Sequence, residues 1–327
     1  MRFGRNVAGV QIARLIQRDL ATEENETTGL DGGGVRSEWL SGVRREDGGF
    51  HAGKDRDTDP LGVLLRPMKD DRPLILVTND DGIFAPGIRT LVEEMIPFGR
   101  VMVVAPDKPQ SAMGHAITIH SFLRLQSVHL MDGVEAWSCS GTPVDCVKLA
   151  IYKLLGGSKP DLLVSGINHG ANISINVLYS GTMSAAVEGA MENIPSIGFS
   201  LMDHSIDADF SQVRPVVRSV VANTLQHGMA DGTCLNVNVP RNDGSPLKGM
   251  RVCRQAKANW EDEFETRLDP GNKEYYWLRG EFRSEDKGKD TDVWAVGNRC
   301  ASIVPTQFDM TAHHSIAALN TWDHALG

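Results

Sequence analysis

The chain has 327 residues, of which 41% are hydrophobic and 23% charged, and its formal net charge is −9. This length fits two domains, or one large domain with an extension, and the apolar fraction suffices for a core, which excludes a chain disordered throughout. The acidic balance offers no electrostatic basis for binding a nucleic-acid polymer or an anionic membrane.

The five cysteines are scattered and form no CxxC pair, a pattern typical of reduced thiols inside the cell. No stretch approaches the ~18 consecutive apolar residues of a membrane span. The apolar core of a secretory signal is also missing near the N-terminus. We therefore expect a cytoplasmic protein without a membrane partner.

Residues 1–67 are rich in Gly, Arg, Asp and Glu, and the charged run Lys54–Asp57 interrupts any periodicity. Such a segment buries too little apolar surface to offset its ordering entropy. We expect a disordered leader, or translated upstream sequence with the natural start at Met68. An organelle transit peptide is a weaker alternative, because acidic residues follow the first arginines closely.

From residue 68 the chain shows the pattern of alternating strands and helices. Leu74–Thr78 and Val101–Ala105 are short apolar runs that predict strands buried on both faces. Between them, apolar residues at spacings of three and four predict a helix over Ile88–Met95. A helix between two buried strands indicates a parallel crossover.

The same alternation continues to residue 240. We predict three further helices and two further strands: helices Pro143–Leu155 (capped by Thr142), Met183–Met191 and Phe210–His227, and strands Leu162–Ser165 and Leu235–Val239. After Pro240 the chain offers only short strand-like pieces, at 251–254, 275–278 and 302–304. The prediction is a doubly wound, mostly parallel α/β core over 68–240 and an appended hairpin-rich part over 241–327.

Polar residues are concentrated where three predicted strands end. They are Asn79–Asp81, the segment 107–111 and Asn168–Asn172, and Ser180-Gly181-Thr182 precedes a helix. Ligands of open parallel sheets bind at the carboxyl ends of the strands. Adjacent carboxylates are unfavourable unless a cation lies between them, and oxygen ligands suit Mg²⁺ or Mn²⁺. A hard metal beside a helix N-terminus, which binds anions, points to phosphoester hydrolysis.

Each of these residues also has a purely structural interpretation. Asp80-Asp81-Gly82 is a common turn and cap sequence, Ser111 fits a loop hydroxyl, Asn168 and Asn172 fit turn positions, and Ser180–Thr182 fits a capping segment. What favours function is that all of them fall on one predicted rim. Three histidines are acid/base candidates with the same ambiguity: His115, His120 and His169.

Other catalytic schemes lack their motifs. The chain has no GxxxxGK[ST] loop, no GxGxxG after the first strand and no GxSxG. No cysteine has an arginine six residues downstream, which disfavours a thiolate phosphatase. Asp80 and Asp81 are adjacent rather than separated by one residue. We therefore expect direct attack by water without a covalent phosphoenzyme.

The motifs together resemble the SurE (survival protein E) family of metal-dependent nucleotidases. The resemblance covers roughly residues 72–310, and it is carried by Ile75–Gly82 with Ala85–Gly87, Val104–Asp107 with Ser111, Ser140–Val147, Ser165–Asn172 with Tyr179–Ala186, Thr291-Asp292 and Ser302–Gln307. It implies a Rossmann-like core, a C-terminal part that helps to build a homodimer or homotetramer, and hydrolysis of nucleoside 5′- and 3′-monophosphates. Alternatives are an exopolyphosphatase or general phosphatase and, from another class, a non-catalytic nucleotide-binding protein.

The resemblance also implies residue roles. One Mg²⁺ or Mn²⁺ per subunit would be held by Asp80, Asp81, Ser111 and Asn168, and the substrate phosphate by Asn172, Ser180, Gly181 and Thr182. Asp81 and Asn172 are the expected catalytic residues, with Asp81 orienting or deprotonating the attacking water. The sequence departs from the family pattern at Ala112, which follows the metal-site serine where the family often has glycine.

Overall fold

The computed structural model describes residues 72–205 and 207–322. The leader predicted over residues 1–67, whether disordered or translated upstream sequence, lies outside these ranges. No helix in the described ranges is long and apolar enough to cross a membrane.

The described residues form eleven strands. They are β1 Leu74–Thr78, β2 Arg100–Pro106, β3 Leu125–Ser127, β4 Glu135–Cys139, β5 Leu162–His169, β6 Ser196–Met202, β7 Thr233–Pro240, β8 Met250–Val252, β9 Ala258–Leu268, β10 Glu274–Ser284 and β11 Ala301–Gln307. Nine of them build one sheet in the order β3-β4-β2-β1-β5-β6-β7-β11-β8. β1 is central, and it pairs in parallel with β2 on one side and with β5 on the other. The sheet is antiparallel where β3 pairs with β4 and where β11 pairs with β7.

Helices cover both faces of this sheet. They are α1 Pro86–Met95, α2 Pro143–Leu149, α3 Gly181–Met191, α4 Val213–His227, α5 Asp292–Gly297 and α6 His313–Leu319. On one face Ile75 and Val77 pack in a cluster with apolar residues of α1 and α4, and on the other Leu76 packs with apolar residues of α2 and α3. Because β1 alternates between two buried clusters, its first four residues are all apolar. The predicted doubly wound, mostly parallel α/β fold is confirmed.

Several predicted boundaries were wrong. β5 continues to His169 instead of ending at Ser165, because Asn168 and His169 still pair with β6 after a register shift. α2 is capped by Thr142 as predicted, but its α-helical part ends at Leu149 and a π-helical turn covers Ala150–Leu154. α4 begins at Val213, three residues after the predicted start. α3 begins at Gly181, two residues before its predicted start at Met183.

The segment after Pro240 has two destinations. β8 and β11 join the main sheet, whereas β9 and β10 pair only with each other along eleven residues each. β9 escaped prediction because its sequence, ANWEDEFETRL, is dominated by polar and charged residues. The strand predicted at 275–278 lies near the start of the longer β10. A division of the chain at residue 240 stays a prediction.

Candidate active site

Three strand ends meet at one edge of the sheet. β1 pairs with β2 through Val77 and Val103, and with β5 through Thr78 and Ser165. Since these strands are parallel, the residues that follow them lie on the same rim. Asp80 and Asp81 follow β1, the loop of residues 107–124 follows β2, and Asn168 lies at the end of β5. The convergence predicted from the sequence is therefore present in the fold.

Asp80 is 4% exposed and touches the N-terminus of α3. Its Oδ1 accepts a hydrogen bond of 2.5 Å from the Thr182 hydroxyl. Gly181 is required beside it, because a Cβ at that position would lie 2.7 Å from Cβ of Asp80. Burial and then the charge of Asp81 raise the pKa of Asp80 to about 6, although hydrogen bonds from Thr182 oppose the rise.

Asp81 is more accessible and contacts His169. Its Oδ2 lies 3.3 Å from the backbone nitrogen of His169 and 3.4 Å from the ring Nδ1. The hydrogen bond to Asp81 raises the pKa of the imidazole, against the opposing effect of its partial burial. The ring also packs edge-on against Phe210, with centroids 5.3 Å apart. Of the three candidate histidines, His169 is the one that contacts a predicted metal ligand.

Asn168 is anchored by its amide nitrogen, which donates to the carbonyl of Gly170 at 2.8 Å. This bond makes its side-chain oxygen the atom suited to a cation.

Ser111 lies in the exposed part of the 107–124 loop, next to Gln110, whose backbone nitrogen donates to the carbonyl of Asp80 at 2.7 Å. Ala112 adopts φ of 59°, a left-handed conformation that favours glycine, which accounts physically for the family's frequent glycine at this position.

The predicted phosphate-binding residues around α3 already have partners inside the protein. The Ser180 hydroxyl caps the helix by accepting from the backbone nitrogen of Met183 at 3.0 Å. The Thr182 hydroxyl is directed at Asp80, as described above. The groups left for an anion at this end are backbone N–H groups of the first helical turn, which carry the positive end of the helix dipole.

Asn172 is held by a buried amide network that the sequence analysis missed. Its backbone nitrogen donates to Oδ1 of Asn238 at 2.7 Å, and its side-chain amide donates to Oγ of Ser200 at 2.8 Å. Asn236 donates to the carbonyl of Asn172 at 2.7 Å, and Asn238 donates to Asn236 at 2.8 Å. The clue was available, since two asparagines alternate with leucine and valine over Leu235–Val239.

The other two candidate histidines lie elsewhere on the 107–124 loop. His115 Nε2 lies 2.9 Å from Oε2 of Glu188, a buried α3 residue that also forms an ion pair with Lys148. Burial disfavours the charge of Glu188, but the hydrogen bonds from His115 and Lys148 outweigh it and lower its pKa. His115 therefore fastens the loop to α3, and His120 lies on the loop's exposed surface.

The donor set at the rim fits a hard divalent cation. Within residues 72–205 and 207–322, neither Asp80 nor Asp81 forms an ion pair with a lysine or arginine, and no three His, Cys, Asp or Glu residues cluster as metal ligands. Two adjacent carboxylates with hydroxyl and amide oxygens nearby are ligands that Mg²⁺ and Mn²⁺ accept. A buried Asp80 beside a second carboxylate is the arrangement that a bound cation would stabilise.

This fold and rim define an α/β protein of the class whose ligands bind at the carboxyl ends of parallel strands. The sequence model of the survival protein SurE matches residues 75–262. The 5′-nucleotidase SurE of Flavobacterium psychrophilum is 59% identical over 253 residues, which cover 77% of this chain and 98% of that protein. The enzyme of the same name from Cytophaga hutchinsonii is 56% identical over 249 residues, covering 76% and 96%.

A solved structure agrees with these sequence matches. The crystal structure of the SurE protein from Aquifex aeolicus superposes with a TM-score of 0.66 at 36% identity, covering 76% of this chain and 98% of that chain. The chain belongs to the SurE family, which confirms the resemblance carried by its motifs.

Proposed function

We propose that this protein is a 5′-nucleotidase, a phosphomonoesterase that uses a divalent metal to hydrolyse nucleoside 5′- and 3′-monophosphates to nucleoside and phosphate. The observation that carries the proposal is the contact between Asp80 and Thr182, because it brings a buried carboxylate to the anion-binding end of α3. The relatives from Flavobacterium psychrophilum and Cytophaga hutchinsonii, named 5′-nucleotidases, support the same activity.

One Mg²⁺ or Mn²⁺ per subunit would be held by Asp80, Asp81, Ser111 and Asn168, and when bound it supplies charge neutralisation and polarises the phosphoryl group. The first turn of α3 and Asn172 bind and orient the phosphate. Asp81 orients the attacking water, and His169 at 3.4 Å from its carboxylate is placed to share the proton that the water loses. The water oxygen bonds to phosphorus while the bond from phosphorus to the nucleoside oxygen breaks, and that oxygen takes up a proton, so that nucleoside and inorganic phosphate are released.

We also propose a homodimer or homotetramer, with 68–240 as the catalytic core and 241–327 as the part that joins subunits. The hairpin of β9 and β10, here called the arm, carries even-numbered residues on one face because side chains alternate along a strand. That face presents Phe264, Leu268, Tyr276 and Leu278, all more than half exposed. Two strands alone are marginally stable in water, so a second copy of the chain is the expected cover.

A cytoplasmic location is part of the proposal. All five cysteines are buried free thiols in the described residues, although Cys139 and Cys146 are near neighbours in the fold. Unpaired thiols of this kind are typical of reducing compartments.

The test measures phosphate released from 5′-AMP, 3′-AMP and polyphosphate with Mn²⁺ or Mg²⁺, and again with a chelator. We expect release from the monophosphates that the chelator abolishes. The Asp81→Asn variant should lose activity, and Asp132→Asn, at a fully exposed carboxylate, should keep it. Faster release from polyphosphate would favour the exopolyphosphatase alternative, and nucleotide binding without turnover would favour the non-catalytic one.

A further inference from the structure

Residues 171–180 lie between β5 and α3, and they include two of the predicted phosphate-binding residues, Asn172 and Ser180. Its middle is a short 3₁₀ turn, Ser174–Leu178, whose first residue is fully buried and has φ of 51°. A non-glycine residue adopts this left-handed conformation only where surrounding contacts hold it. The contacts that hold Ser174 therefore help to set the shape of the predicted phosphate site.

The main contact comes from Asp292, a fully buried carboxylate 118 residues further along the chain. Its Oδ2 accepts from the backbone nitrogen of Ser174 at 2.8 Å. Its Oδ1 accepts from the backbone nitrogens of Ala256 at 2.9 Å and Val293 at 2.8 Å. Both oxygens of a buried charge are thus occupied by main-chain donors, and such charge-assisted hydrogen bonds are the stronger ones.

The root of the arm completes the arrangement. The Ser174 hydroxyl donates to the carbonyl of Ala256 at 2.8 Å. The indole of Trp260 donates to Oδ1 of Asn176 at 2.7 Å, and the Asn176 amide donates back to the carbonyl of Ala171 at 3.3 Å. Residues that follow β7 in the chain therefore hold the segment by hydrogen bonds at Ser174 and at Asn176.

We propose that Asp292 is a positioning residue for phosphate binding, which acts through the backbone of Ser174 and is assisted by Trp260 at the arm root. The inference rests on the proposed function, since it assigns the phosphate to residues 171–180 and the first turn of α3. Among the described residues, the Asp292 carboxylate hydrogen-bonds to Ser174, Ala256 and Val293 and to none of the predicted metal ligands, so its loss should weaken phosphate binding without weakening metal binding.

The test compares Asp292→Asn with Asp290→Asn, a control whose carboxylate is 66% exposed and pairs with Arg254 at the surface. Asparagine keeps the shape, and its single oxygen retains most bonds by accepting from Ala256 and Val293, so its NH₂ group faces the backbone nitrogen of Ser174 and that bond is lost. Calorimetry would give the dissociation constants of Mn²⁺ and, in excess Mn²⁺, of inorganic phosphate. Hydrogen exchange would report the amides of residues 171–180.

We expect phosphate binding about tenfold weaker in Asp292→Asn, faster exchange at Ser174, and Mn²⁺ binding within about twofold of wild type. Trp260→Phe, a milder change at a partly exposed residue, should weaken phosphate binding about twofold and covers the case that Asp292→Asn does not fold. Unchanged phosphate binding in the folded variants would overturn the inference. A wild type that binds phosphate but releases none from 5′-AMP would instead refute the proposed function alone.

Discussion

The Thr182 hydroxyl donates to Oδ1 of Asp80 at 2.5 Å, and this bond joins the end of β1 to the first turn of α3. The two residues are 102 positions apart in the chain, and both are buried. The bond fixes the rotamer of a carboxylate that we assign to the metal, at the place where we assign the phosphate. The packing of α3 on the sheet would therefore set the distance between the proposed metal and phosphate positions.

We expect Thr182→Val to lower kcat/KM for 5′-AMP by about tenfold or more, because a buried carboxylate loses its hydrogen-bond donor. Valine keeps the shape of threonine, so the substitution isolates the hydroxyl. Thr182→Ser retains the donor and should keep most of the activity. Equal activity of the valine and serine variants in a steady-state assay would contradict the role.

Removal of the Asp80 charge should affect the activity and the stability of the protein differently. Burial disfavours the ionised side chain, so Asp80→Asn should abolish hydrolysis yet leave the metal-free protein as stable as wild type or more so. Mn²⁺ at about 100 times its dissociation constant should raise the wild-type Tm by about 5–10 °C, and the variant's much less. Thermal unfolding with and without Mn²⁺ measures both effects. An equal Mn²⁺-induced rise in the two proteins would exclude Asp80 as a ligand.

The ion pairs of Glu94 should make stability depend on pH. This residue of α1 is 2% exposed and bonds to Arg214, at 2.8 Å, and Arg218 of α4. Burial opposes its charge, but the arginine hydrogen bonds prevail and lower its pKa below 4.5. A lowered folded-state pKa means that the stabilisation is complete above the unfolded-state pKa and is lost as the pH falls through the folded-state value.

Glu94→Gln should therefore cost about 1–2 kcal/mol of unfolding free energy at pH 7, discounted because both arginines are partly exposed. The difference from wild type should shrink below about pH 4.5. Glu93→Gln, at a more exposed neighbour that also pairs with Arg214, is the matched control and should cost less. Urea unfolding across pH 3–7 measures this; a constant difference between wild type and Glu94→Gln over that range would refute it.

The amide network around Asn172 predicts that two substitutions of Asn238, by aspartate and by serine, differ in their effect on stability and on KM. Asn238→Asp keeps the acceptor for the Asn172 nitrogen but places an oxygen against the side-chain oxygen of Asn236 in a fully buried site. We expect loss of stability of about 2 kcal/mol or more and a raised KM for 5′-AMP. Asn238→Ser, which can still accept and donate, should be milder. We expect Asn238→Ser to have the higher Tm and the lower KM of the two variants. The reverse order would contradict the role of the network.

The apolar face of the arm should control assembly. Phe264 and Leu278 are direct cross-strand neighbours, 65% and 61% exposed. Leu278→Glu should shift the protein toward monomers, because a charge buried between subunits is costly. Glu263→Lys lies on the opposite face of the arm and should leave the assembly unchanged. Light scattering coupled to size-exclusion chromatography gives the masses, and an unaltered mass for Leu278→Glu would place the interface elsewhere.

The sequence alone determined the parallel α/β core and the composition of its rim. Both depend on local rules, since apolar runs such as Leu74–Thr78 make buried strands and the carboxyl ends of parallel strands must share an edge. The shared edge was enough to predict that Asp80, Asp81 and Asn168 lie close together, although their contacts were not known. The helix cap at Thr142 was predictable for the same reason, because capping involves residues three positions apart.

Only the tertiary structure decided which side chains touch. It directed Thr182 to Asp80 and His169 to Asp81, joined His115 to Glu188, and brought Asn238 and Asp292 into contact with residues 171–180. These partners lie 66 to 118 residues apart, and their contacts depend on helix packing, strand register and the path of the chain after β7. Local sequence patterns extend over a few residues, so they specify the elements and leave such long-range contacts undetermined.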